Sequence, residues 1–245
     1  MPDTIKTAGY DAANLEAMSF ARAYQAAMQH LVIRKLGLCP GMRVVDFGAG
    51  RGDYALGICR QCSADVLCLE PDVQLHSAYP ASLPVIASLD ALETGHYGSP
   101  DCAYTLNVLE HIDDDALALH QLADRCKPGA RIFALVPANE SLWTEMDDLV
   151  GHRRRYMPRT LRATAEAAGL VVEETGWFDR TGYFAARAYQ LASRLGLLKA
   201  GEAGKVTPTQ IRLFDGLFRV LEPALSLSGV PFGKNCWVLA RRPYG

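Results

Sequence analysis

The sequence lacks any run approaching the about 18 uncharged apolar residues that a bilayer-crossing helix needs, so no transmembrane span is expected. Its first residues, MPDTIKTAGYDAANLEAM, lack the basic-then-apolar order of a secretory signal. A surplus of one charge is missing as well: 25 Lys and Arg against 27 Asp and Glu leave a net charge of −2. That argues against a nucleic-acid partner held by bulk electrostatics and leaves only local basic patches. A disulfide framework is also absent. Seven cysteines are an odd number without regular spacing, the pattern of reduced thiols in a cytoplasmic protein. Cys59 and Cys62 form one CxxC pair, but no second pair stands at the distance a structural zinc site requires. The pair reads as two small residues on one helical face, and no metal is expected. Internal repeats and low-complexity tracts are missing too.

What is present is apolar surface enough for a core: 49% of the 245 residues are hydrophobic and 21% charged, which fits one large domain over residues 1–245. Residues 14–36 read as a helix, with Phe20, Tyr24, Met28 and Leu31 at helical spacing, and residues 1–38 form an N-terminal helical cap. Short apolar runs then recur as strands: MRVVDF (Met42–Phe47), DVLCLE (Asp65–Glu70), a weak LPVIA (Leu83–Ala87), DCAYTL (Asp101–Leu106), ARIFALVP (Ala130–Pro137), VVEETGWF (Val171–Phe178) and CWVLAR (Cys236–Arg241). Pro84 suits only the first residues of its strand, because it cannot donate to a ladder. Asp113 looks like the N-cap of a helix running to Cys126, and a further helix spans Pro158–Ala168 until Gly169 stops it. Strands alternating with helices predict a doubly wound α/β fold: a mainly parallel seven-stranded sheet covered on both faces. Residues 181–231 form a helical insertion before the last strand.

The chemistry starts at Asp46-Phe47-Gly48-Ala49-Gly50-Arg51-Gly52, where a strand gives way to a helix. Glycines there let the backbone turn tightly and approach a ligand with no Cβ in the way. Glu70 closes the next strand about 20 residues after Gly50, where a carboxylate can accept hydrogen bonds from ribose hydroxyls. A nicotinamide dinucleotide enzyme would show G-x-G-x-x-G; here the spacing is G-x-G-x-G, and Asp53 occupies the place of the third glycine. Asp46 fits poorly with a pyrophosphate and well with a ligand carrying an ammonium group. A tight turn without a ligand is the plain alternative.

At these residues the chain resembles the class I S-adenosylmethionine-dependent methyltransferases, which have a Rossmann-like fold. VVDFGAGRGD looks like their first motif, CLEPD like the acidic end of their second strand, and NVLEHIDDD (Asn107–Asp115) like the segment after their fourth. KPGARIFALVP resembles their fifth-strand motif, with Ala130 where a second glycine is common. LWTEMDDLVGHRRRY (Leu142–Tyr156) is similar to an LW, HD, GHxRRY segment of a bacterial subfamily often associated with glycan or lipid biosynthesis; Met146 replaces the histidine of the HD pair. The terminal PFGKNCWVLARRP looks like that subfamily's ending. The resemblance implies that Asp46, Gly48 and Gly50 line the methionine part of the cofactor and that Glu70 holds its ribose. It implies that Asp90 faces the adenine amino group with Leu89 beside the ring, and that Asn107 offers its backbone carbonyl to the cofactor's amino group. Tyr24 either closes over the cofactor or is a core aromatic.

Methyl transfer to a hydroxyl needs an in-line acceptor and a group to take its proton. His111, after the fourth strand, and His152, in GHRRRY, are the catalytic candidates; His30, His76, His96 and His120 lack such a setting. Arg153, Arg154 and Arg155 form the only triple basic run, and with Tyr156 they are the candidate acceptor-binding residues. Ion pairing with Glu145, Asp147 and Asp148 is the plain alternative, and at least one arginine is expected to be spent so. The insertion is expected to be a lid. Its first helix places Phe184, Ala188, Leu191, Leu195 and Leu198 on one face and Arg187, Gln190 and Arg194 on another; its second, capped by Thr207-Pro208-Thr209-Gln210, carries Ile211, Phe214, Phe218, Leu221 and Leu225. Gly182 and Gly229 flank the pair as hinges. A sheet-packing role, a homodimer interface or a peripheral membrane contact are the alternatives. The reading is thus an S-adenosylmethionine-dependent methyltransferase acting on a small-molecule or glycan/lipid-precursor acceptor, on oxygen. A cofactor-binding partner subunit without catalysis is the alternative. A nucleic-acid base-amino methyltransferase is disfavoured, because Asn107-Val108-Leu109-Glu110 stands where an Asn/Asp-Pro-Pro-aromatic motif would be.

Overall fold

The computed structural model describes residues 21–94, 97–195 and 207–244. Seven strands form one sheet: β1 (Arg43–Phe47), β2 (Asp65–Leu69), β3 (Val85–Ile86), β4 (Cys102–Leu106), β5 (Arg131–Pro137), β6 (Val171–Phe178) and β7 (Asn235–Arg241). Their order is β3-β2-β1-β4-β5-β7-β6, with β7 antiparallel to both neighbours and the other pairs parallel. This is the expected doubly wound α/β fold. The pleat sorts the core by residue parity. On β1, Val44 packs into the core on one face while Val45 and Phe47 pack into the core on the other. Asp46 therefore shares its face with Val44, the side covered by α1 (Arg22–Leu36) and α2 (Asp53–Cys62). The opposite face is covered by α3 (Asp90–Thr94), α4 (Asp115–Arg125) and α6 (Pro158–Ala167). A short α5 (Glu145–Leu149) follows β5.

Several local expectations are corrected. The N-cap of α4 is Asp114, which accepts the Leu117 amide at 2.9 Å, because Asp113 is turned to an ion pair with Arg153. The part of the predicted N-terminal helix that includes Phe20 lies outside the described residues, as do Leu198 and His96. Cys59 and Cys62 sit half-buried on α2 as free thiols; burial raises the Cys59 thiol, which disfavours the reactive thiolate.

The insertion forms α7 (Arg180–Arg194) and α8 (Pro208–Leu227), and carboxylates pin both. Asp215 of α8 accepts the Ala23 and Tyr24 amides at 3.0 Å each, capping α1, whose own N-cap position, Ala21, has no side chain for the task. Glu222 of α8 accepts the Arg180 and Thr181 amides at 3.1 and 2.8 Å, and Asp179 accepts the Gly182 amide at 2.6 Å. Gly182 is thus locked in the first turn of α7 rather than a hinge: a Cβ there would stand 2.1 Å from the Asp179 carboxylate. Gly229 is left-handed at φ 69° just past the end of α8, the usual geometry of a glycine that terminates a helix. The predicted Thr207 cap is present, with the Gln210 carboxamide accepting the Thr207 amide at 2.8 Å.

Both expected faces of α7 are largely exposed: Phe184, Leu191 and Leu195 on one, Arg187 and Arg194 on the other. The side turned inward runs through Tyr183, Ala186 and Gln190, with the Gln190 amide donating to the Ser141 carbonyl at 2.9 Å. On α8, Ile211 and Phe218 are buried as predicted, but Leu221 is exposed together with a second apolar row, Leu213, Leu217, Val220 and Leu227.

Candidate functional site

The glycine loop leaves the carboxyl end of β1 at the centre of the sheet, where the strand order reverses direction and parallel sheets open a crevice. The amides of Gly48 and Ala49 both donate to the Leu69 carbonyl, at 2.9 and 3.1 Å, tying the loop to β2. Gly48, at φ 78°, leaves no room for a side chain: a Cβ would lie 2.4 Å from Val108. Gly50, at φ 56°, faces open space instead. Glu70 ends β2 beside it, one carboxylate oxygen accepting the Gly50 amide at 2.7 Å and the other the Asp72 amide at 2.9 Å. Burial raises the Glu70 pKa, and those two amides oppose the shift. Each oxygen keeps a lone pair for a hydroxyl partner. Two further residues brace the loop, one unremarked in the sequence and one set aside there: the Tyr79 hydroxyl donates to the Gly50 carbonyl at 2.6 Å, and the His76 ring meets the Glu70 carbonyl at 2.7 Å.

Asp46 is 3% exposed, and its hydrogen-bond partner is the neutral Tyr104 hydroxyl at 2.9 Å. Burial pushes its pKa up to about 7; the Tyr104 hydrogen bond works against this and the Glu70 charge adds to it. A buried carboxylate held by a phenol is a fitting seat for a ligand cation. Leu89 is half-buried, and Asp90 is exposed with Arg125 3.4 Å away. Asn107 ends β4 in the left-handed region at φ 55°, a conformation asparagine tolerates and one that turns its carbonyl out of strand register. Its side chain accepts from Asn235 at 3.1 Å, and Asn235 in turn accepts from the Tyr24 hydroxyl at 3.4 Å. Tyr24 itself is the core-aromatic alternative. It is buried, with its ring 5.4 Å from Phe178 and 5.3 Å from Phe218.

A second cluster stands on the same rim. His111, in the turn after β4, and His152, after α5, meet edge to face with ring centroids 4.9 Å apart. His152 Nδ1 lies 2.7 Å from Asp147, which also takes a two-pronged contact from Arg155 at 2.9 and 3.0 Å. Burial alone would raise the Asp147 pKa, but the hydrogen bonds from His152 and Arg155 hold it well below the usual carboxylate range. Burial, reinforced by His152, brings His111 down to about 4. Glu110 lies beneath the two rings, fully buried, and burial pushes it up to about 8 against the pull of its own amide and of Arg155. Asp147 stands in the HD position of the resembling segment, and Glu110 is the neighbour of His111; adjacency was the available signal for both.

The basic run is spent largely on the chain itself. Arg155 is buried on Asp147 and the Ala138 carbonyl, and Tyr156 is buried with its hydroxyl donating to Asp115 at 2.6 Å. Those two are corrections to the acceptor-binding set: both are braces. Arg153 pairs with Asp113, and Arg154 lies 3.3 Å from Asp115; both keep partly exposed guanidinium groups.

Residues 20–175 match the family model described as "Methyltransferase domain". None of the curated proteins compared matches the chain. Among solved structures, the methyltransferase complex with the Haloferax volcanii Trm112 methyltransferase activator aligns with a TM-score of 0.64 at 16% identity, covering 96% of each chain. A SAM-dependent methyltransferase from Archaeoglobus fulgidus gives 0.58 at 18% identity, covering 94% of this chain and 100% of that one. The geranyl diphosphate C-methyltransferase of Streptomyces coelicolor A3(2), solved with S-adenosyl-L-homocysteine, gives 0.54 at 16% identity, covering 88% and 78%. With the family model spanning more than half of the sequence and the sheet order and glycine loop in agreement, the chain belongs to the methyltransferase-domain family and is an S-adenosylmethionine-dependent methyltransferase.

Proposed function

We propose that the enzyme methylates an oxygen of a small-molecule or glycan/lipid-precursor acceptor, and that Asp46, Gly48, Gly50 and Glu70 hold the cofactor. The observation that carries the cofactor assignment is the pair of buried acids flanking an open glycine loop, one seated for an ammonium group and one for ribose hydroxyls. Asp90 and Leu89 take the adenine end in this reading, and the Asn107 carbonyl the amino group. Bound S-adenosylmethionine supplies a methyl group already activated by its sulfonium. The chain's task is then to place the acceptor in line, exclude water and activate the acceptor oxygen. His111 and His152 are the activating pair, and Arg153 and Arg154 draw an anionic acceptor to the rim.

Calorimetry tests the cofactor half directly. The protein is expected to bind S-adenosylmethionine and S-adenosylhomocysteine and to show no affinity for NAD. Glu70→Ala is expected to weaken binding by about 1.5–3 kcal/mol, the usual cost of losing hydrogen bonds to a charged group. Tight NAD binding would overturn the assignment.

The acceptor half rests on the insertion and on the resemblance of LWTEMDDLVGHRRRY to a subfamily tied to glycan and lipid precursors. The Gln190 contact sets α7 against the segment that carries Asp147 and His152. Residues 181–231 therefore act as the lid that selects the acceptor. The outer face of α8 exposes Leu213, Val220 and Leu227, while both of its acids, Asp215 and Glu222, turn inward onto the chain's own amides. Such a surface suits a lipid-borne acceptor met at a membrane face. No helix among the described residues is long and apolar enough to cross a bilayer. Hydrogen exchange with a methylated acceptor is expected to show added protection in residues 182–230. An unchanged pattern there assigns the insertion a purely structural role.

A further inference from the structure

Glu110 poses a problem that the cofactor site does not solve. It is fully buried, and no other described residue offers either carboxyl oxygen a hydrogen bond; the only one acting on it is from its own backbone amide. A carboxyl so placed is costly to ionise unless a cation compensates it. His152 Nε2 lies 3.8 Å from Oε1, beyond hydrogen-bond reach. With His152 Nδ1 turned to Asp147 at 2.7 Å, the imidazole form of the ring presents its lone pair at Nε2. Once Glu110 is ionised, lone pair faces lone pair across the gap, an arrangement that a cation between them turns into attraction.

We propose that Glu110, His111 and His152 bind a divalent first-row metal ion of the zinc type, with at least one coordination position left open on the rim. One ligand atom from each residue lies within 4.8 Å of the other two. Ligand atoms around such an ion stand about 3–3.5 Å apart, so closing the site takes a side-chain adjustment of roughly 1 Å. Two imidazoles and one carboxylate are the donor set of open, three-ligand sites rather than of closed structural ones. The outer shell has the matching form. Metal-binding histidines hand their second nitrogen to a carboxylate or a backbone carbonyl. Here His152 Nδ1 meets Asp147, and His111 Nδ1 meets the Gly151 carbonyl at 3.3 Å. Arg155 and the Thr144 amide in turn fix Asp147. The expectation of no metal came from the CxxC pair, which lies elsewhere, on α2. The ion-binding site stands without any assumption about the acceptor. Its use, lowering the pKa of an acceptor oxygen in the open position, rests on the reading above.

The test is titration of the intact, chelator-dialysed protein with cobalt(II) chloride, followed by calorimetry and visible absorption without cofactor or acceptor. The expected result is one ion per chain, with ligand-field bands and no thiolate-to-cobalt charge-transfer band. Glu110→Gln, which keeps the side-chain shape, is expected to weaken binding by more than about tenfold, and Asp147→Asn by about 10–100-fold. Cys59→Ser with Cys62→Ser is expected to bind as the parent does. Circular dichroism reports whether each variant is folded, and His152→Ala replaces any that is not. Absence of binding, a thiolate band lost in the cysteine variant, or undiminished affinity in folded Glu110→Gln and His152→Ala each overturns the site. Because the readout is cobalt alone, its failure is distinguishable from failure to bind S-adenosylmethionine.

Discussion

Asp46→Asn is expected to stabilise the cofactor-free protein at pH 8 and at the same time to weaken S-adenosylmethionine binding. The Asp46 carboxyl is buried, and its pKa stands near 7 in the folded chain against an ordinary value of 3.8. A group whose folded pKa is raised binds its proton more tightly when folded. Between pH 3.8 and about 7 the unfolded chain has lost that proton and the native chain has kept it, so stability falls across this window as pH rises. Above pH 7 the whole penalty is present, on the order of 1–4 kcal/mol, the upper figure being three pKa units at 1.36 kcal/mol each. Asparagine removes the ionisation while its amide oxygen keeps an acceptor for Tyr104. Urea unfolding is expected to show the variant ahead of the parent at pH 8, with the difference closing towards pH 4. Cofactor binding should move the opposite way. The ammonium group selects the ionised carboxylate, so parental affinity rises by at most about tenfold per pH unit up to pH 7 and then levels off, whereas the variant's is lower and flat. A variant that is less stable at pH 8, or that binds the cofactor as tightly as the parent, would sink this account.

That tension also explains which parts of the molecule were legible beforehand. Strands β1, β2, β4, β5 and β7 were visible because a buried strand has to be a short apolar run bounded by turn residues; β6 is a half-exposed edge strand, and each of the six lies within one residue of its predicted ends. β3 shrank to Val85–Ile86, since Pro84 ahead of it cannot donate to the ladder. The cofactor loop was legible because close backbone approach leaves only glycine, as the 2.4 Å contact awaiting a Cβ at Gly48 shows. What the sequence did not display was pairing between distant side chains. The acids thought to balance the arginine run were Glu145, Asp147 and Asp148. Asp147 does take Arg155, but Arg153 and Arg154 are answered by Asp113 and Asp115, about 40 positions earlier. Periodicity likewise marked Phe184, Leu191 and Leu195 as one face of α7 without saying that the side through Tyr183, Ala186 and Gln190 is the one that docks. Amphipathic spacing gives the faces of a helix, and only the fold decides which one turns inward.

His152→Ala and His111→Ala are each expected to lower turnover by roughly 10²–10⁴ with cofactor affinity nearly intact. The geometry separates the two effects. The cofactor groups sit on β1 and β2 and their loops, whereas the histidines follow β4 and α5. Their loss should therefore appear in kcat, leaving the calorimetric affinity for S-adenosylmethionine in place. Asp147→Asn should cost less than His152→Ala, since the ring remains and only its orientation loosens. The double histidine variant carries the most information. Two groups acting separately would multiply their losses, whereas two groups acting as one unit fall to a common floor. With rings 4.9 Å apart over one buried carboxyl, a shared unit is the expected result, and the double variant should be no slower than the worse single one. Full activity in both single variants would remove histidine from the activation of the acceptor. A multiplicative loss would leave the two histidines with independent tasks.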